Sequence, residues 1–488
     1  MSRYIDLDLQ KTPVGGSSRY CKYRGIPVNC GPLGLARETC SLYHNNRDGT
    51  FTDVTEKAGI LRPGGRYGLS AVAFDYNNDG WPDLFVACDS SPNLLFRNDR
   101  DGTFSEVGME AGCAVNGDGL EQANMGVTVG DYDGDVYLDL FLPHFSEHTP
   151  TLYHNTKGEF FDDATNAAGL AVNTQYVCWG VGFADLDNDR WLDIFHVNGT
   201  VYPEVEKVYP DYKFKQPRVV YRNLGNGSFE EVSELCGAAV LEPHSSRGCA
   251  FGDFDNDGNI DVLAWNMSEA PSLLKNENRS GNHWLSVKAV ATKSNRSGIG
   301  ARITITAGGR RQIREVLSGS SYVSQSDLRQ HFGLGLARKV DEIEIRWPGG
   351  PVDKVTGVEA DQFVTVLEGR GLPSLRGGQG RDLTLVKCRQ VCVGAHRNQP
   401  GHREPGSGGA WRAWQPTLAL QRRLRYNCRL SWGCRFAAPS LRSPRTRLQV
   451  AHGLDPKNNL LRLAGFDDFQ ENSNHASPSL SAHTLSPT

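Results

Sequence analysis

Short apolar runs alternate with acidic loops along the first 280 residues of the chain. The runs are rich in residues that favour β-strands, and each lies directly before or after an acidic loop. The runs before the loops span residues 69–74, 125–129, 179–183 and 247–251, and the runs after them span residues 84–87, 140–142, 194–197 and 262–265. Runs this short, bounded by turn-forming residues, are typical of β-strands. We therefore predict an all-β fold.

The acidic loops share one internal spacing. We number them loop 1 (residues 75–83), loop 2 (131–139), loop 3 (185–193) and loop 4 (253–261), and in each an oxygen-bearing side chain stands at positions 1, 3, 5 and 9. These candidate ligands are Asp75, Asn77, Asp79 and Asp83; Asp131, Asp133, Asp135 and Asp139; Asp185, Asp187, Asp189 and Asp193; and Asp253, Asp255, Asp257 and Asp261. Oxygens packed this densely repel one another unless a hard cation neutralises them, and Ca²⁺ prefers such ligands. We predict that the loops bind Ca²⁺.

The loops are not helical EF-hands, although they share the first part of that spacing. An EF-hand needs a bidentate Glu at position 12. That position holds Val86, Leu142, His196 or Ala264, which cannot supply the carboxylate. Strand-forming runs also flank each loop on both sides. The predicted metal therefore lies in a loop between two β-strands.

The four loops are not equivalent. Loop 4 has four Asp ligands and Gly258 at position 6, where a turn needs a glycine, and we rank it first. Loop 1 keeps the glycine but has Asn77 at position 3. Loops 2 and 3 place Val136 and Arg190 at position 6. A non-glycine residue with positive φ is costly, so their backbone must differ or be strained. We expect loops 2 and 3 to bind metal more weakly.

A second signature alternates with the acidic loops. Asn45, Asn98, Asn155 and Asn223 each open a turn that closes on Gly-x-Phe, and Asn and Gly suit tight hairpins. Successive acidic loops begin 56, 54 and 68 residues apart. About four short strands fit in each period. Repeats of this kind bury their apolar faces only when they pack against neighbouring repeats. We predict a β-propeller.

Both signatures together resemble a known family. The acidic loop between strands, alternating with Asn-x-x-Gly-x-Phe, resembles the calcium-bound FG-GAP or VCBS propeller repeat. Residues 297–367, with His331-Phe-Gly-Leu-Gly335 and Ile345-Arg-Trp-Pro-Gly-Gly350, resemble the ASPIC/UnbV domain of the cartilage acidic protein family. The resemblance covers residues 40–368 or so. It implies a secreted protein of the extracellular matrix that serves as a binding module.

The resemblance and the pattern suggest three regions. We expect FG-GAP/VCBS blades in residues 1–282, an ASPIC/UnbV-like β domain in residues 283–369 and a disordered, dispensable basic tail in residues 370–488. The second signature at Asn45 has no acidic loop before it, and no apolar signal-peptide segment follows Met1. We therefore expect the propeller to be incomplete at its N-terminus, with the secretion signal outside this chain.

Charge and hydropathy narrow the possible partners. Residues 1–370 carry a net charge of −15, whereas residues 371–488 carry +11. An acidic body repels phosphates, which argues against nucleic acid as a partner. No run of 18 apolar residues occurs, so we expect no membrane span.

Two classes of function remain open. A non-enzymatic module that binds protein or glycan is favoured by the repeated metal loops, and none of the common nucleophile or metalloprotease motifs occurs. The alternative is a carbohydrate-active propeller enzyme, a lyase or hydrolase. In that case a pocket lined by His144, His148, His154 and His196 could carry the chemistry, although prolines flank the His144–His148 pair and favour a loop there.

The cysteines permit either redox environment. Cys21, Cys30 and Cys40 lie in a Gly- and Pro-rich loop where a disulfide is plausible. Cys88, Cys178 and Cys249 lie on predicted strands, and we expect them to be buried thiols.

Overall fold

The structure is a computed structural model that describes residues 1–8, 10–372 and 411–414. Apart from residues 370–372 and 411–414, the expected tail lies outside the described residues. The strands in chain order are β1 (Ile5–Asp6), β2 (Lys22–Tyr23), β3 (Ile26–Pro27), β4 (Ala36–Arg37), β5 (Tyr43–Asn45), β6 (Phe51–Asp53), β7 (Gly68–Phe74), β8 (Asp83–Cys88), β9 (Leu94–Asn98), β10 (Phe104–Glu106), β11 (Thr128–Gly130), β12 (Asp139–Leu142), β13 (Thr151–Thr156), β14 (Phe160–Asp163), β15 (Cys178–Ala184), β16 (Asp193–Asn198), β17 (Val219–Asn223), β18 (Phe229–Glu231), β19 (Ser246–Gly252), β20 (Asp261–Asn266), β21 (Ser272–Asn276), β22 (His283–Val290), β23 (Arg302–Ala307), β24 (Arg310–Glu315), β25 (Gln330–Gly335), β26 (Lys339–Arg346), β27 (Val352–Glu359), β28 (Gln362–Leu367) and β29 (Trp411–Trp414).

Helices are short in the described residues. Two single-turn α-helices, α1 (Pro203–Glu206) and α2 (Ala238–Leu241), and two 3₁₀ turns, Arg19–Cys21 and Ser233–Leu235, lie in connections. None of the described helices is long and apolar enough to cross a membrane. The prediction of an all-β fold is confirmed.

Four antiparallel sheets of four strands form the blades. Blade 1 contains β7–β10, blade 2 contains β11–β14 and blade 3 contains β15–β18, each in sequence order. Blade 4 contains β19–β21, and its outer strand is β29, which pairs with β21. In every blade the acidic loop joins the first strand to the second. Four residues of the expected disordered tail thus complete the last blade.

Neighbouring blades pack face to face through apolar side chains. Second-strand residues of one blade, such as Phe85, meet third-strand residues of the next, such as Tyr153, and both are buried. The same arrangement joins blade 2 to blade 3 and blade 3 to blade 4. This repeated stacking supplies each interface with a continuous apolar core.

The residues before blade 1 form small two-stranded pieces. β1 pairs with β4, β2 with β3, and β5 with β6 in an antiparallel hairpin. A disulfide joins Cys21 to Cys30, whereas Cys40, Cys88 and Cys178 are free and buried. The hairpin and the turn after it, with Ala58 and Ile60, cover the outer side of blade 1. This hairpin has the place of the last two strands of a preceding blade.

Strands β22–β28 build the small domain, a two-sheet sandwich. One sheet has the order β25-β22-β28, with β22 and β28 parallel, and the other has the order β24-β23-β26-β27. Their inner faces share one core, which includes Leu285, Ile303, Phe332 and Trp347. β22 begins at His283, and the domain boundaries expected from the sequence stay a prediction.

The second signature turns out to join neighbouring blades. The side-chain amide of Asn223 donates to the carbonyl of Leu192 in its own blade at 3.0 Å and to that of Tyr132 in the preceding blade at 2.8 Å. Asn155 makes the same pair of bonds to Leu138 and Tyr76. Because these carbonyls are buried, the amide is their source of hydrogen bonds.

This network predicts a stability difference between two asparagines. Asn223→Ala should lower the free energy of unfolding by about 2 kcal/mol or more, because two buried carbonyls lose their donor. The matched control is Asn226→Ala, which removes only bonds within an exposed turn and should cost under about 1 kcal/mol. Urea denaturation measures both. Equal losses would show that the cross-blade bonds contribute little.

Candidate metal centre

The first and last carboxylates of each loop shape its backbone. In loop 1 the two oxygens of Asp75 accept from the backbone N–H of Asp79 at 2.9 Å and of Gly80 at 2.8 Å. The oxygens of Asp83 accept from Tyr76 at 3.2 Å and from Asn98 at 2.8 Å. Loops 2, 3 and 4 repeat this scheme with small shifts at position 1. The buried carboxylates at positions 1 and 9 therefore hold all four loops in one shape.

The folded loops bring predicted ligands together. In loops 2, 3 and 4 one oxygen from each of positions 1, 3 and 9 lies within 4.8 Å of the other two. These groups are Asp131, Asp133 and Asp139; Asp185, Asp187 and Asp193; and Asp253, Asp255 and Asp261. Loop 1 has two carboxylates and the Asn77 amide at these positions. Each of the three groups could hold one cation, because carboxylate oxygens at these separations suit Ca²⁺.

The position 5 aspartates have a different role in the described loops. One oxygen of each accepts the backbone N–H two residues later, at 2.8 Å for Asp79, 2.8 Å for Asp135, 2.9 Å for Asp189 and 3.0 Å for Asp257. These bonds close the turn. The second oxygen of Asp79 pairs with Arg100 at 2.8 Å, and that of Asp257 pairs with Lys275 at 3.0 Å. The assignment of all 16 predicted ligands stays a prediction.

Burial makes it energetically costly to ionise the aspartates of the loops. Burial raises the pKa of Asp185 to about 8, and the charges of Asp189 and Asp187 add to the shift. Burial likewise raises the pKa of Asp83 and of Asp261 to about 7. Each shift measures a penalty on the charged form. A bound cation would remove that penalty.

Basic side chains partly neutralise the loops, and this was missed from the sequence. His154, Arg222 and Lys275 each directly precede the Asn that bonds to position 9. His154 lies 3.0 Å from Asp133, Arg222 lies 3.6 Å from Asp187, and Lys275 contacts both Asp255 and Asp257. Burial disfavours the Lys275 cation, but its bonds to the two aspartates outweigh this and raise its pKa. These cations would compete with a metal for the same oxygens.

Position 6 has the same left-handed backbone in every loop. The φ angle is 91° at Gly80, 70° at Val136, 87° at Arg190 and 90° at Gly258. The sequence left open whether loops 2 and 3 have a different backbone or a strained one. The backbone at position 6 is left-handed in all four loops, so loops 2 and 3 are strained there. A non-glycine residue there costs about 1–2 kcal/mol.

The small domain covers the loop end of the blades and touches each loop at position 4. His331 bonds to the Asn188 side chain at 2.7 Å, Arg329 to the Asn256 side chain at 2.7 Å, and Arg346 to the Asn78 carbonyl at 3.4 Å. In loop 2 the Arg310 guanidinium lies against Gly134, 2.6 Å from the place that a Cβ would take. All four loops thus support one domain.

Arginines of the small domain also support the position 1 aspartates. Arg302 donates to the Asp75 carbonyl and Arg329 to the Asp253 carbonyl, each at 2.8 Å. Arg346 pairs with the Asp75 carboxylate at 2.6 Å. These bonds approach Asp75 and Asp253 from the domain side. They orient candidate metal ligands as outer partners do in metal sites.

A segment of the small domain also reaches the first strands of the blades. The Ser321 hydroxyl accepts from the Val181 N–H at 3.0 Å and lies 3.4 Å from the Cys249 thiol. The Tyr322 ring packs on Trp179 at 4.9 Å. Close by, a cavity of about 130 Å³ lies between blades 2–4 and the small domain, lined by Asp185, Arg314 and His331 among others.

The four candidate histidines do not form one pocket. His144 is buried against Thr151 at 2.8 Å, and burial lowers its pKa to about 3. His154 lies in β13, three residues after Thr151, and is beside loop 2. His196 is buried in β16, where it bonds to Asn198 at 2.7 Å. His148 lies near His144, and none of the four lines the 130 Å³ cavity.

Two family models match the chain. The FG-GAP-like repeat matches residues 33–86, 75–142, 131–196 and 215–264, and ASPIC and UnbV matches residues 291–373. The first set contains all four loops, and the second covers most of the small domain. The resemblance read from the sequence is confirmed.

The chain is similar to cartilage acidic protein 1 from two vertebrates. Identity to the Xenopus tropicalis protein is 28% over 352 residues, 69% of this chain and 50% of that protein. Identity to the Homo sapiens protein is 26% over 362 residues, 72% of this chain and 50% of that protein. The chain spans about half the length of the curated relatives it matches.

A solved lectin from Agrocybe aegerita, described as recognising non-reducing terminal N-acetylglucosamine, also aligns. It is 17% identical, with 65% of this chain and 74% of that chain covered, and the TM-score is 0.30. A TM-score this low does not establish a shared fold.

The loop electrostatics predict a metal-dependent stability. Chelation should lower the melting temperature, and excess Ca²⁺ should restore it, because a cation that binds only the folded loops shifts the unfolding equilibrium. Differential scanning fluorimetry measures the shift. A melting curve that is the same in chelator and in Ca²⁺ would contradict the metal assignment.

The same experiment has a pH control. A carboxyl whose pKa is raised by folding stabilises the fold below its unfolded pKa of about 4, and that contribution is lost as the pH rises through about 8 for Asp185. In chelator the fold should therefore be more stable near pH 5 than near pH 8. The gain from Ca²⁺ should be larger near pH 8.

The strain at position 6 ranks the loops. Asp257→Ala in loop 4 should weaken Ca²⁺ binding more than Asp189→Ala in loop 3, by about tenfold or ~1.4 kcal/mol. The control is Asp118→Ala, which lies outside the loops. Isothermal titration calorimetry measures the affinities. Equal losses in the two loops would show that the Arg190 backbone does not weaken loop 3.

Proposed function

Because the chain belongs with the ASPIC and UnbV proteins that carry FG-GAP-like repeats, we propose that it is a calcium-stabilised extracellular module that binds a protein or a glycan. The proposal rests on the acidic loop, which occurs four times and whose buried carboxylates accept the same set of backbone hydrogen bonds with small shifts. Ca²⁺ would be held by positions 1, 3, 5 and 9 of each loop. Its role is to neutralise charge that the fold otherwise leaves buried.

The metal loops support the fold rather than contact a ligand in this proposal. The small domain occupies position 4 of every loop, so the loop end of the blades is taken up by an intramolecular contact. A large ligand would therefore meet the other end. There the disulfide-bonded segment lies against the connection between β12 and β13, since the Tyr23 ring packs on Phe145 at 5.6 Å.

That other end offers aromatic rings beside a cation. Arg24 lies over the ring of Tyr212 at 4.0 Å and of Tyr209 at 5.6 Å. Tyr209 is exposed and Tyr212 is half-buried. Tyrosine and arginine are the residues that protein interfaces favour, and flat aromatic rings also suit sugar faces. We place the ligand contact around Tyr209 and Tyr212.

Secretion is part of the same proposal. A disulfide such as Cys21–Cys30 persists in oxidising compartments and is rare in the cytosol. The relatives are cartilage acidic proteins, and a matrix location for this chain follows by analogy only.

The alternative remains a carbohydrate-active enzyme. Two of its candidate residues, His144 and His196, are buried in hydrogen bonds, and burial lowers their pKa to about 3 and about 4. Neutral, enclosed imidazoles are poor candidates for acid–base chemistry on a polymer. A screen for polysaccharide turnover by the purified chain decides between the two, and turnover would overturn the binding proposal.

The binding proposal is tested on immobilised arrays of matrix glycosaminoglycans and matrix proteins, with Ca²⁺ and with chelator. We expect Ca²⁺-dependent binding to a member of the arrays. The double variant Tyr209→Ala and Tyr212→Ala should reduce it at least tenfold, about 1.4 kcal/mol. The control is Met109→Ala, which alters another exposed apolar side chain. Equal binding by both variants would exclude this surface.

A further inference from the structure

Five tripeptides of the form Asn-x-Ser/Thr, the sequence that N-linked glycosylation requires, occur in the chain. They begin at Asn198, Asn226, Asn266, Asn278 and Asn295. An attached oligosaccharide is bulky and polar, so a modified asparagine has to lie at the surface of the folded protein. The sugar is bonded to the side-chain nitrogen Nδ2. The surroundings of this atom therefore decide which of the five asparagines can carry a glycan.

Two of the five asparagines are buried. Asn198 and Asn266 are both 0% exposed. The Nδ2 of Asn198 donates to the Pro217 carbonyl at 2.7 Å, and the Nδ2 of Asn266 donates to the Ala270 carbonyl at 2.8 Å. A glycan on either nitrogen would break an interior hydrogen bond and place a polar chain among packed strands. The folded protein therefore has no room for a glycan at these two residues.

Two further asparagines lie nearer the surface, but the fold uses their Nδ2 atoms. Asn278 is half-buried, and its Nδ2 donates to the Ser280 hydroxyl at 3.2 Å. Asn295 is exposed and closes a turn, since its Nδ2 donates to the Ile299 carbonyl at 2.7 Å and its Oδ1 accepts from the Ile299 N–H at 2.9 Å. A glycan at either residue would replace one of these bonds.

Asn226 differs because the fold uses only its side-chain oxygen. It lies in the exposed turn between β17 and β18. Its Oδ1 accepts from the Ser228 N–H at 3.1 Å and from the Ser228 hydroxyl at 2.7 Å, whereas its Nδ2 donates to no described residue. The hydroxyl that the tripeptide requires thus already lies beside the amide, and the nitrogen that would take the glycan is free.

Equivalent turns show that this place needs only an oxygen acceptor. Asp48 in the β5–β6 hairpin and Asp101 in blade 1 each stand three residues after their signature asparagine, as Asn226 does, and both are exposed. Each accepts from the N–H of the threonine two residues later at 2.9 Å and from its hydroxyl at 2.6 Å. Asn226 makes the same turn with Oδ1 and has in addition an amide nitrogen that the turn does not use.

We propose that Asn226 carries an N-linked oligosaccharide, whereas Asn198 and Asn266 stay unmodified. The sugar donor is an oligosaccharide joined to a lipid pyrophosphate. The Nδ2 of Asn226 bonds to the anomeric carbon, the bond from that carbon to the pyrophosphate breaks, and a base of the transferase takes one amide proton. The lipid pyrophosphate leaves. This inference rests on the secretion that is part of the proposed function, and it does not depend on the ligand.

A glycan at Asn226 leaves the proposed ligand surface open. The β17–β18 turn lies at the loop end of blade 3, where the place of a Cβ on Gly225 is 2.5 Å from Nε1 of Trp191 in loop 3. Tyr209 and Tyr212 lie in the connection from β16 to β17, at the other end of the same blade. The oligosaccharide and the ligand would therefore occupy opposite ends.

The first test maps the glycan on the full chain, secreted from mammalian cells with an added secretion signal. A peptide N-glycosidase in heavy-oxygen water converts each occupied asparagine to labelled aspartate, which peptide mass spectrometry locates. A sample without the enzyme controls for spontaneous deamidation at Asn226-Gly227. We expect label at Asn226 in most molecules, less at Asn278 and Asn295, and none at the two buried asparagines. An unlabelled Asn226, a reversed order or label at a buried asparagine would overturn the inference.

The second test uses two matched variants that preserve the turn. Asn226→Asp keeps the oxygen acceptor, as Asp48 and Asp101 do, and removes Nδ2. Ser228→Thr keeps the tripeptide and supplies the residue present at this place in the other two turns. Both should melt at the wild-type temperature. On a gel, secreted Asn226→Asp should migrate as a protein that lacks one glycan, and Ser228→Thr should migrate with the wild type. Equal mobility of Asn226→Asp and wild type would overturn the inference.

These outcomes are separate from those that test the binding proposal. The added signal supplies entry to the secretory pathway, and the arrays of matrix glycans and proteins report ligand binding. An unmodified Asn226 in a chain that binds the arrays would overturn this inference alone. A chain that is glycosylated at Asn226 and binds no member of the arrays would support this inference and count against the binding proposal.

Discussion

The buried carboxylates at the two ends of each acidic loop are the constraint on which the rest of the structure depends. Asp75 and Asp83 receive four backbone hydrogen bonds between them, and one of these comes from Asn98 in the third strand. These hydrogen bonds thus fix the shape of the loop, the pairing of the two strands that it joins and the position of the third strand. The same aspartates are buried, so ionising them is costly. A bound cation would offset that cost, and the geometry that shapes the blade therefore also favours cation binding.

The sequence predicted the repeated elements well because their chemistry is local. The spacing of oxygens in the loops, the flanking strand formers and the turn at Asn98 are all readable within ten or so residues. The all-β propeller with its small second domain follows from that repetition. For Val136 the sequence left two possibilities, a different backbone or strain, and the positive φ of the structure decides for strain.

What the sequence did not reveal depends on contacts between distant segments. Arg346 meets Asp75 across 271 positions of the chain, and Ser321 meets Val181 across 140. Neither pairing has a periodic signal. The signature Asn276 was also missed because no Gly-x-Phe follows it, although its backbone N–H bonds to Asp261 as the others do. The outer strand β29 was missed because only its pairing with β21, far along the chain, gives it a place in blade 4.

The placement of the small domain changes what the metal loops can do. Had the loops been exposed, their carboxylates could have bridged a metal to an acidic ligand. Instead Arg302, Arg329 and Arg346 hold the outer sides of Asp75 and Asp253, so these loops contact the small domain on the outside and would hold the proposed cation within. The two demands on Asp75 are compatible because its carbonyl and one carboxylate edge face the arginines. A loop that loses its shape would therefore weaken both the blade and the attachment of the domain.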